Sequence, residues 1–273
     1  MKIETITTYI LISIALSILT FSACKQAEPL LYDRDANIYF DLPSAQKDSI
    51  VYTFAYNMNK ASDTIYIPVS LSGIREPKER FYSAYVEQDS STAVEDVHFE
   101  KLAVQYKLDV GAGKTFLPLV IYNVPDLEEN SVSLIIKLKE SADFNIENPK
   151  IIKAKVVFSA RLEQPIWWSM WLQDYSRTKH QLFIIATDQT TLTTEGLDAP
   201  KNLYFADMLR AMLNNPFQWV DRNPQKGYEL STKDNGATYD FYHKDNPSRT
   251  ITLKKNVGSG QYQFIDELGR EVR

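Results

Sequence analysis

The stretch Asp63–Gly73, DTIYIPVSLSG, decides the fold. Ile65, Ile67, Val69 and Leu71 fall on one side of an extended chain, and Thr64, Tyr66 and Ser70 on the other. Strand side chains alternate between faces, so this pattern describes a strand with one dry face. A helix would need its apolar residues three and four apart. Val132, Leu134, Ile136 and Leu138 repeat the alternation in SVSLIIKLKE. NIYFD, SIVYTFAY, RFYSAYVE, VQYKLDV, KTFLPLVIYN and IIKAKVVFSA read the same way. About eight short strands, bounded by Gly, Pro, Asn and Asp with no helical pattern between them, predict a β-sandwich over residues 36–160. Pro68 and Pro118 lie inside strand runs, and proline cannot donate to a ladder, so both are expected at edges or bulges.

Beyond residue 160 the pattern changes, and residues 161–273 read as a small α+β unit. PIWWSMWLQDYSRTK sets Trp167, Trp171 and Tyr175 four residues apart, with Pro165 suited to a first helical turn. HQLFIIATD reads as a buried strand. NLYFADMLRAMLNN is a helix by the stripe Phe205, Met208, Leu209 and Met212, ended by Asn214-Asn215-Pro216. ATYDFYH, RTITLKKN and GQYQFIDE are three short strands. The whole is thus mainly β, a β-sandwich followed by the α+β unit, and the sandwich resembles those of immunoglobulin, fibronectin and Calx-beta domains.

At the start of the chain, Tyr9–Phe21 is an apolar run too short to span a bilayer and suited to the core of a signal peptide. Ser22 and Ala23 are small, and Cys24, the only cysteine, follows at once. Residues 1–23 therefore read as a lipoprotein signal peptide, Cys24 as the lipid-bearing first mature residue, and residues 24–35 as a polar tether. A lone cysteine has no partner for a disulfide, which fits acylation of its thiol. Two or three acyl chains, at about 0.8 kcal/mol per buried CH2, hold a protein firmly in a membrane. Glu28, close behind the lipid, weakly resembles a surface-export signal, which implies an outer-membrane location with display at the cell surface. The net charge of −5 is unchanged by removal of residues 1–23, where Lys2 and Glu4 cancel. An acidic chain without clustered Lys and Arg is a poor nucleic-acid binder.

TAVEDVHF, DVGAGKTFLPLVIYN, PDLEEN and SVSLIIKLKESADF follow one another in an order that resembles Calx-beta and fibronectin-like modules. Cys24, ANIYF, DTIYIPVSLSG, HFEKL, LIIKLKESADF and PIWWSMWLQDYSRTKHQLF together resemble an uncharacterised family of Bacteroidota lipoproteins. That resemblance implies an accessory lipoprotein of SusC/SusD-like outer-membrane uptake pairs. It carries over no catalytic residues. In Calx-beta modules the turn corresponding to PDLEEN supplies calcium ligands, which makes Asp126, Glu128 and Glu129 weak calcium candidates. Calcium needs six to eight oxygens, Asn123 stands where Asp would strengthen the set, and a solvated acidic turn is the simpler reading.

Other motifs argue against familiar chemistry. VGAGKTF lacks the first glycine of a P-loop, since Leu108 holds that position, and it lies between strands, so it reads as a hairpin turn. His98, His180 and His243 form no close ligand pair, and no metal or cofactor is expected. Gly258–Gly260, GSG, is not a nucleophile elbow. WWSMW offers either an aromatic platform for a glycan, peptide or protein, or packing. Packing at the contact between the two parts is expected for Trp167 and Trp171, because each ring can bury about 150–250 Å². Trp168 is expected on the exposed side and is the candidate contact for a ligand or partner.

The function expected is that of a non-enzymatic surface lipoprotein, accessory to a nutrient-uptake complex through substrate capture or assembly support. A structural or adhesive surface module is the alternative, and a hydrolase with an unrecognised site is a further one. Sandwiches host many functions, so fold alone does not choose among them.

Overall fold

The computed structural model describes residues 35–46, 49–147, 151–232 and 234–273. Strand β3, Ser62–Ser72, is the centre of a three-stranded antiparallel sheet. It pairs with β1, Asn37–Phe40, on one side and β6, Lys114–Tyr122, on the other. Ile65, Ile67 and Val69 are buried while Tyr66 faces water, as the alternation requires. Leu117, Leu119 and Ile121 of β6 supply the same dry face.

The facing sheet has five strands in the order β2-β8-β7-β4-β5. These are β2, Ile50–Thr53, β4, Arg80–Val86, β5, Tyr106–Leu108, β7, Val132–Lys139, and β8, Lys153–Ser159. Only the β2–β8 pairing is parallel. Leu134, Ile136, Val156 and Phe158 from this sheet join Ile67, Leu117 and Leu119 from the other in one apolar core. The eight strands and the sandwich are thus as expected.

The two prolines part company. Pro118 lies in β6, at the edge of its sheet. Pro68 lies in the central strand, contrary to expectation, but where β1 stops: its carbonyl accepts the N–H of Asp41, one residue beyond the end of β1. Proline is tolerated there because the ladder on that side is ending.

The C-terminal part packs four helices and a four-stranded antiparallel sheet around a second apolar core. The helices are α1, Trp168–Trp171, α2, Arg177–Thr187, α3, Ala199–Asn214, and α4, Pro216–Arg222. The sheet order is β12-β11-β10-β9, from β9, Tyr228–Ser231, β10, Thr238–His243, β11, Asn246–Lys255, and β12, Tyr262–Phe264. Phe241, Ile251, Leu253 and Phe264 of the sheet meet Leu182, Phe183, Leu209 and Met212 of the helices. Strand β9 and helix α4 are additions to the sequence reading.

Three expectations are corrected here. HQLFIIATD is helix, not strand: it lies mostly within α2. Nine of the eleven residues of α2 are buried, so no wet face breaks the apolar run and no period betrays the helix. Its start is fixed by Ser176, whose Oγ accepts the N–H of Lys179. The helix expected from Pro165 is a single turn, closed by Leu172 and by Gln173 at φ 59°. Helix α3 forms as expected, but its buried stripe runs through Asn202, Ala206, Leu209, Met212 and Leu213, with Phe205 and Met208 only half-buried.

Asp35–Arg273 forms one compact unit. Residues 1–34, with the proposed signal peptide, Cys24 and nearly all of the tether, lie outside the described residues. Among the described residues no helix is long and apolar enough to cross a membrane.

Candidate functional site

The acidic turn Pro125–Glu128 is where the sandwich meets the C-terminal part. Pro125 opens a 3-10 turn, and buried Leu127 pins it to the core. Each carboxylate then faces a different cation or histidine. Asp126 Oδ2 lies 2.9 Å from His98 Nε2, while His98 Nδ1 accepts the N–H of Val94. The proton of the ring is therefore on Nε2, donating to Asp126. Glu128 pairs with Arg249 of β11, and Glu129 Oε1 lies 3.0 Å from Arg177 Nη2 of α2. Asp126, Glu128 and Glu129 thus diverge to three partners. Among the described residues no three His, Cys, Asp or Glu side chains gather as a metal site would need.

Arg249 carries the joint further. It is 2% exposed on its side chain and also donates to Asn123 Oδ1. Asn123, itself buried, donates to the carbonyl of Lys60 at 2.8 Å. Asn246 at the start of β11 donates to the carbonyls of Met58 and Lys60 at 3.0 and 3.2 Å. So Asn123, the position that weakened the calcium reading, serves instead as a relay between the two parts. Buried polar groups of this kind favour the geometry that pairs most of them, although Arg249 Nε is buried without a partner among the described residues.

A cleft opens beside this joint. The loop Ala55–Asn59, following β2, makes one wall. The end of α2 with Asp188 and Thr190, and Tyr228 and His243 of the C-terminal sheet, make the other. Its volume is 640 Å³, within the usual range for a small-molecule site of about 300–1,000 Å³. Asp188 ends α2 in a left-handed conformation, at φ 58°. Lys226 Nζ binds both Asp188 carboxylate oxygens, at 2.8 and 2.9 Å, and the carbonyl of Ile185. Tyr228 is stacked on Phe241, with ring centres 4.8 Å apart and planes within 6°. Burial pushes its phenol well above the ordinary tyrosine range, so it stays an O–H group. Nothing in the sequence pattern announced this site, because its residues come from four separate segments. Tyr56 and His243 were visible only as the ends of two strand runs, and Asn57 and Tyr228 belonged to no element read from the sequence.

The tryptophans behave differently from expectation. Trp168, the candidate contact residue, is fully buried, at 0% exposure. The short helix turns it inward against Tyr175, His180 and Phe183. Trp167 is buried as expected, but its ring neighbours are Trp168, His180 and Phe183, all of the C-terminal part, and not the sandwich. Trp171 is half-buried and donates its Nε1–H to the carbonyl of Thr193 at 2.9 Å. Lys179 Nζ closes the turn by donating to the carbonyls of Leu172 and Asp174, at 2.6 and 3.2 Å. Burial holds that ammonium below the ordinary lysine value, against the pull of Asp174. His180, 1% exposed among these rings, has neither ring nitrogen hydrogen-bonded, and burial lowers its pKa to about 4.

No curated protein matches the sequence. Solved structures that align with this chain include three from Bacteroides ovatus. One, provisionally named a carbohydrate-binding protein, aligns over 46% of this chain with 14% identity and a TM-score of 0.34. The chain spans 38% of the length of that neighbour. A second, of unknown function, aligns over 84% of this chain and 69% of its own, with 13% identity and a TM-score of 0.37. A third, a multidomain protein including DUF1735, aligns over 86% and 72%, with 10% identity and a TM-score of 0.32. Likeness at this level carries no conclusion about this chain. The sequence itself is more telling. Residues 32–189, from just before β1 to just after α2, match the model of the family described as a domain of unknown function, DUF4843, and the chain belongs to that family.

Proposed function

We propose that this protein is a non-enzymatic, lipid-anchored surface protein of the outer membrane, accessory to a nutrient-uptake complex of the SusC/SusD-like kind, and that it captures substrate. The observation that carries the capturing role is the open cleft whose walls come from both parts of the chain, beside a joint of buried hydrogen bonds. A site built that way presents a fixed shape to a ligand, which lowers the entropic cost of binding. The groups lining the cleft are arranged for holding rather than reacting: its carboxylate, Asp188, is engaged by Lys226. The anchor rests on the apolar run followed by Ser22, Ala23 and Cys24. The accessory role rests on the family resemblance stated above.

Fractionation of native membranes tests this reading. The intact protein is expected in the outer-membrane fraction, with a transporter pair bound after mild detergent extraction. The Cys24→Ser variant is expected in the soluble fraction, since the thioether to lipid needs sulfur. An unchanged membrane location and lipid mass for that variant, or extraction free of any transporter, would sink the anchor or the accessory role respectively. A second reading, an adhesive module, is favoured by the outer face of the three-stranded sheet. There Tyr66 and Phe116 are 63% and 57% exposed and meet edge to face, 6.3 Å between ring centres.

A further inference from the structure

His243 is a nearly buried donor at the cleft wall. It is 7% exposed and lines the cleft beside Tyr228, whose ring it meets edge to face at 5.0 Å. Nδ1 accepts the N–H of Asp245 at 3.1 Å, so the ring proton is on Nε2. Nε2 has no hydrogen-bond acceptor among the described residues, yet it is not one of the buried polar atoms that are sealed from solvent without a partner. Gly227, at φ +70°, makes room for it: a Cβ there would come within 2.6 Å of Nε2. A donor with no acceptor in the chain, held at the wall of a cleft and open to solvent, is free to meet an acceptor from outside the chain.

The rest of the lining says what kind of acceptor. The charged residues of the cleft are Asp188 and Lys226, and they neutralise each other at 2.8 Å. A charged ligand would therefore meet no uncancelled partner and would lose its hydration without return. The other amides and hydroxyls of the inner wall are neutral, from Asn57, Asn59, Thr190, Gln225 and Tyr228. They can both donate and accept, and Asp188 keeps accepting oxygens toward water, being 81% exposed. Tyr56, 47% exposed on the loop, adds an aromatic face at the rim. Mixed donors and acceptors without net charge, with an aromatic face, match a ring that carries several hydroxyl groups on an apolar body.

We propose that the cleft between Ala55–Asn59 and Tyr228–His243 binds a neutral, hydroxyl-rich small molecule of the short-oligosaccharide class, and that His243 Nε2–H is its fixed donor. The assignment rests on the capturing role proposed above and gives it a site and a ligand class. Titration calorimetry of the detergent-extracted full chain tests it. The probes are neutral di- and trisaccharides of glucose, galactose, mannose and xylose, with digalacturonate as the charged control. At least one neutral sugar is expected to bind and digalacturonate to bind more weakly. His243→Asn keeps an acceptor for the Asp245 N–H but removes the Nε2 donor. It is expected to weaken binding about tenfold and to lower the melting temperature somewhat, because a buried ring is lost; Tyr56→Ala on the exposed loop is expected to weaken binding about tenfold with the melting temperature nearly unchanged. The proposal is overturned if none of the neutral sugars binds, if digalacturonate binds best, or if Tyr56→Ala and His243→Asn leave the affinity unchanged. Sugar binding without any transporter in the extract would remove the accessory role and leave the cleft assigned. A transporter in the extract without sugar binding would remove the cleft assignment alone.

Discussion

Arg249 of the C-terminal sheet and Glu128 of the sandwich form an ion pair at the seam between the two parts, with the Arg249 side chain 2% exposed. Asn123 takes a second bond from the same guanidinium. Removing one partner of a buried pair costs more than the pair contributes, because the remaining groups are left without compensation. Arg249→Met is therefore expected to lower unfolding free energy by about 3 kcal/mol, near the low end for such a break because Glu128 keeps some contact with water. Replacing Glu128 by Leu as well should recover part of that loss. Urea denaturation of the two single variants and the double variant measures the coupling.

Trp168 makes a second prediction. It is fully buried among aromatic rings, and emptying such a site costs about 3–5 kcal/mol. Trp168→Ala is expected to fall in that range by denaturant unfolding. Met170→Ala, two residues on but 57% exposed, should change stability by less than about 0.5 kcal/mol.

His180 gives the chain an acid sensitivity that can be isolated. Burial lowers its folded pKa to about 4 from the ordinary 6.5. Only the unfolded chain takes up the proton between those values, so the stability tied to the neutral ring is complete above pH 6.5 and is lost as pH falls toward 4. At 1.36 kcal/mol per pKa unit the whole loss is about 3 kcal/mol. His180→Phe fills the same cage without a titrating group. Its stability should fall less than that of the native chain between pH 7 and pH 4, the difference being the part due to His180. Parallel curves would show that the ring is not buried neutral.

Glu267 caps helix α2 from a distant part of the chain. Its carboxylate accepts the N–H groups of Arg177 and Thr178, at 2.7 and 3.1 Å, and the Thr178 hydroxyl at 3.0 Å. Burial raises its pKa, but the backbone donors outweigh burial and the net direction is downward. A carboxylate at a helix N-terminus satisfies orphan N–H groups and opposes the helix dipole. Glu267→Ala is expected to cost about 1–2 kcal/mol and to speed amide exchange in the first turn of α2. Unchanged exchange there would contradict the capping role.

The sandwich was legible because its strands keep one wet face. DTIYIPVSLSG and SVSLIIKLKE alternate, and alternation survives in a single sequence. Helix α2 was not legible, because its burial on nearly all sides erases the period that marks a helix. Its cap, Glu267, is ninety residues away in sequence. Trp168 was misplaced for a related reason: spacing four residues apart has meaning only if the helix continues, and α1 stops after one turn at Leu172. The cleft was invisible because its walls are brought together only by the joint of Asn123, Glu128, Asn246 and Arg249. Glu128 was read as part of a turn, Asn123 and Arg249 as ends of strand runs, and Asn246 as part of no element.

That joint is the centre of the account, since a cleft shared by two parts has a fixed shape only if the parts move as one. Scanning calorimetry of the full chain tests this most directly. One transition is expected, with equal calorimetric and van't Hoff enthalpies. In the Arg249→Met variant that transition should move to lower temperature. Two resolved transitions in the native chain, one surviving the Arg249→Met change unmoved, would show that sandwich and C-terminal part unfold separately and would contradict the account.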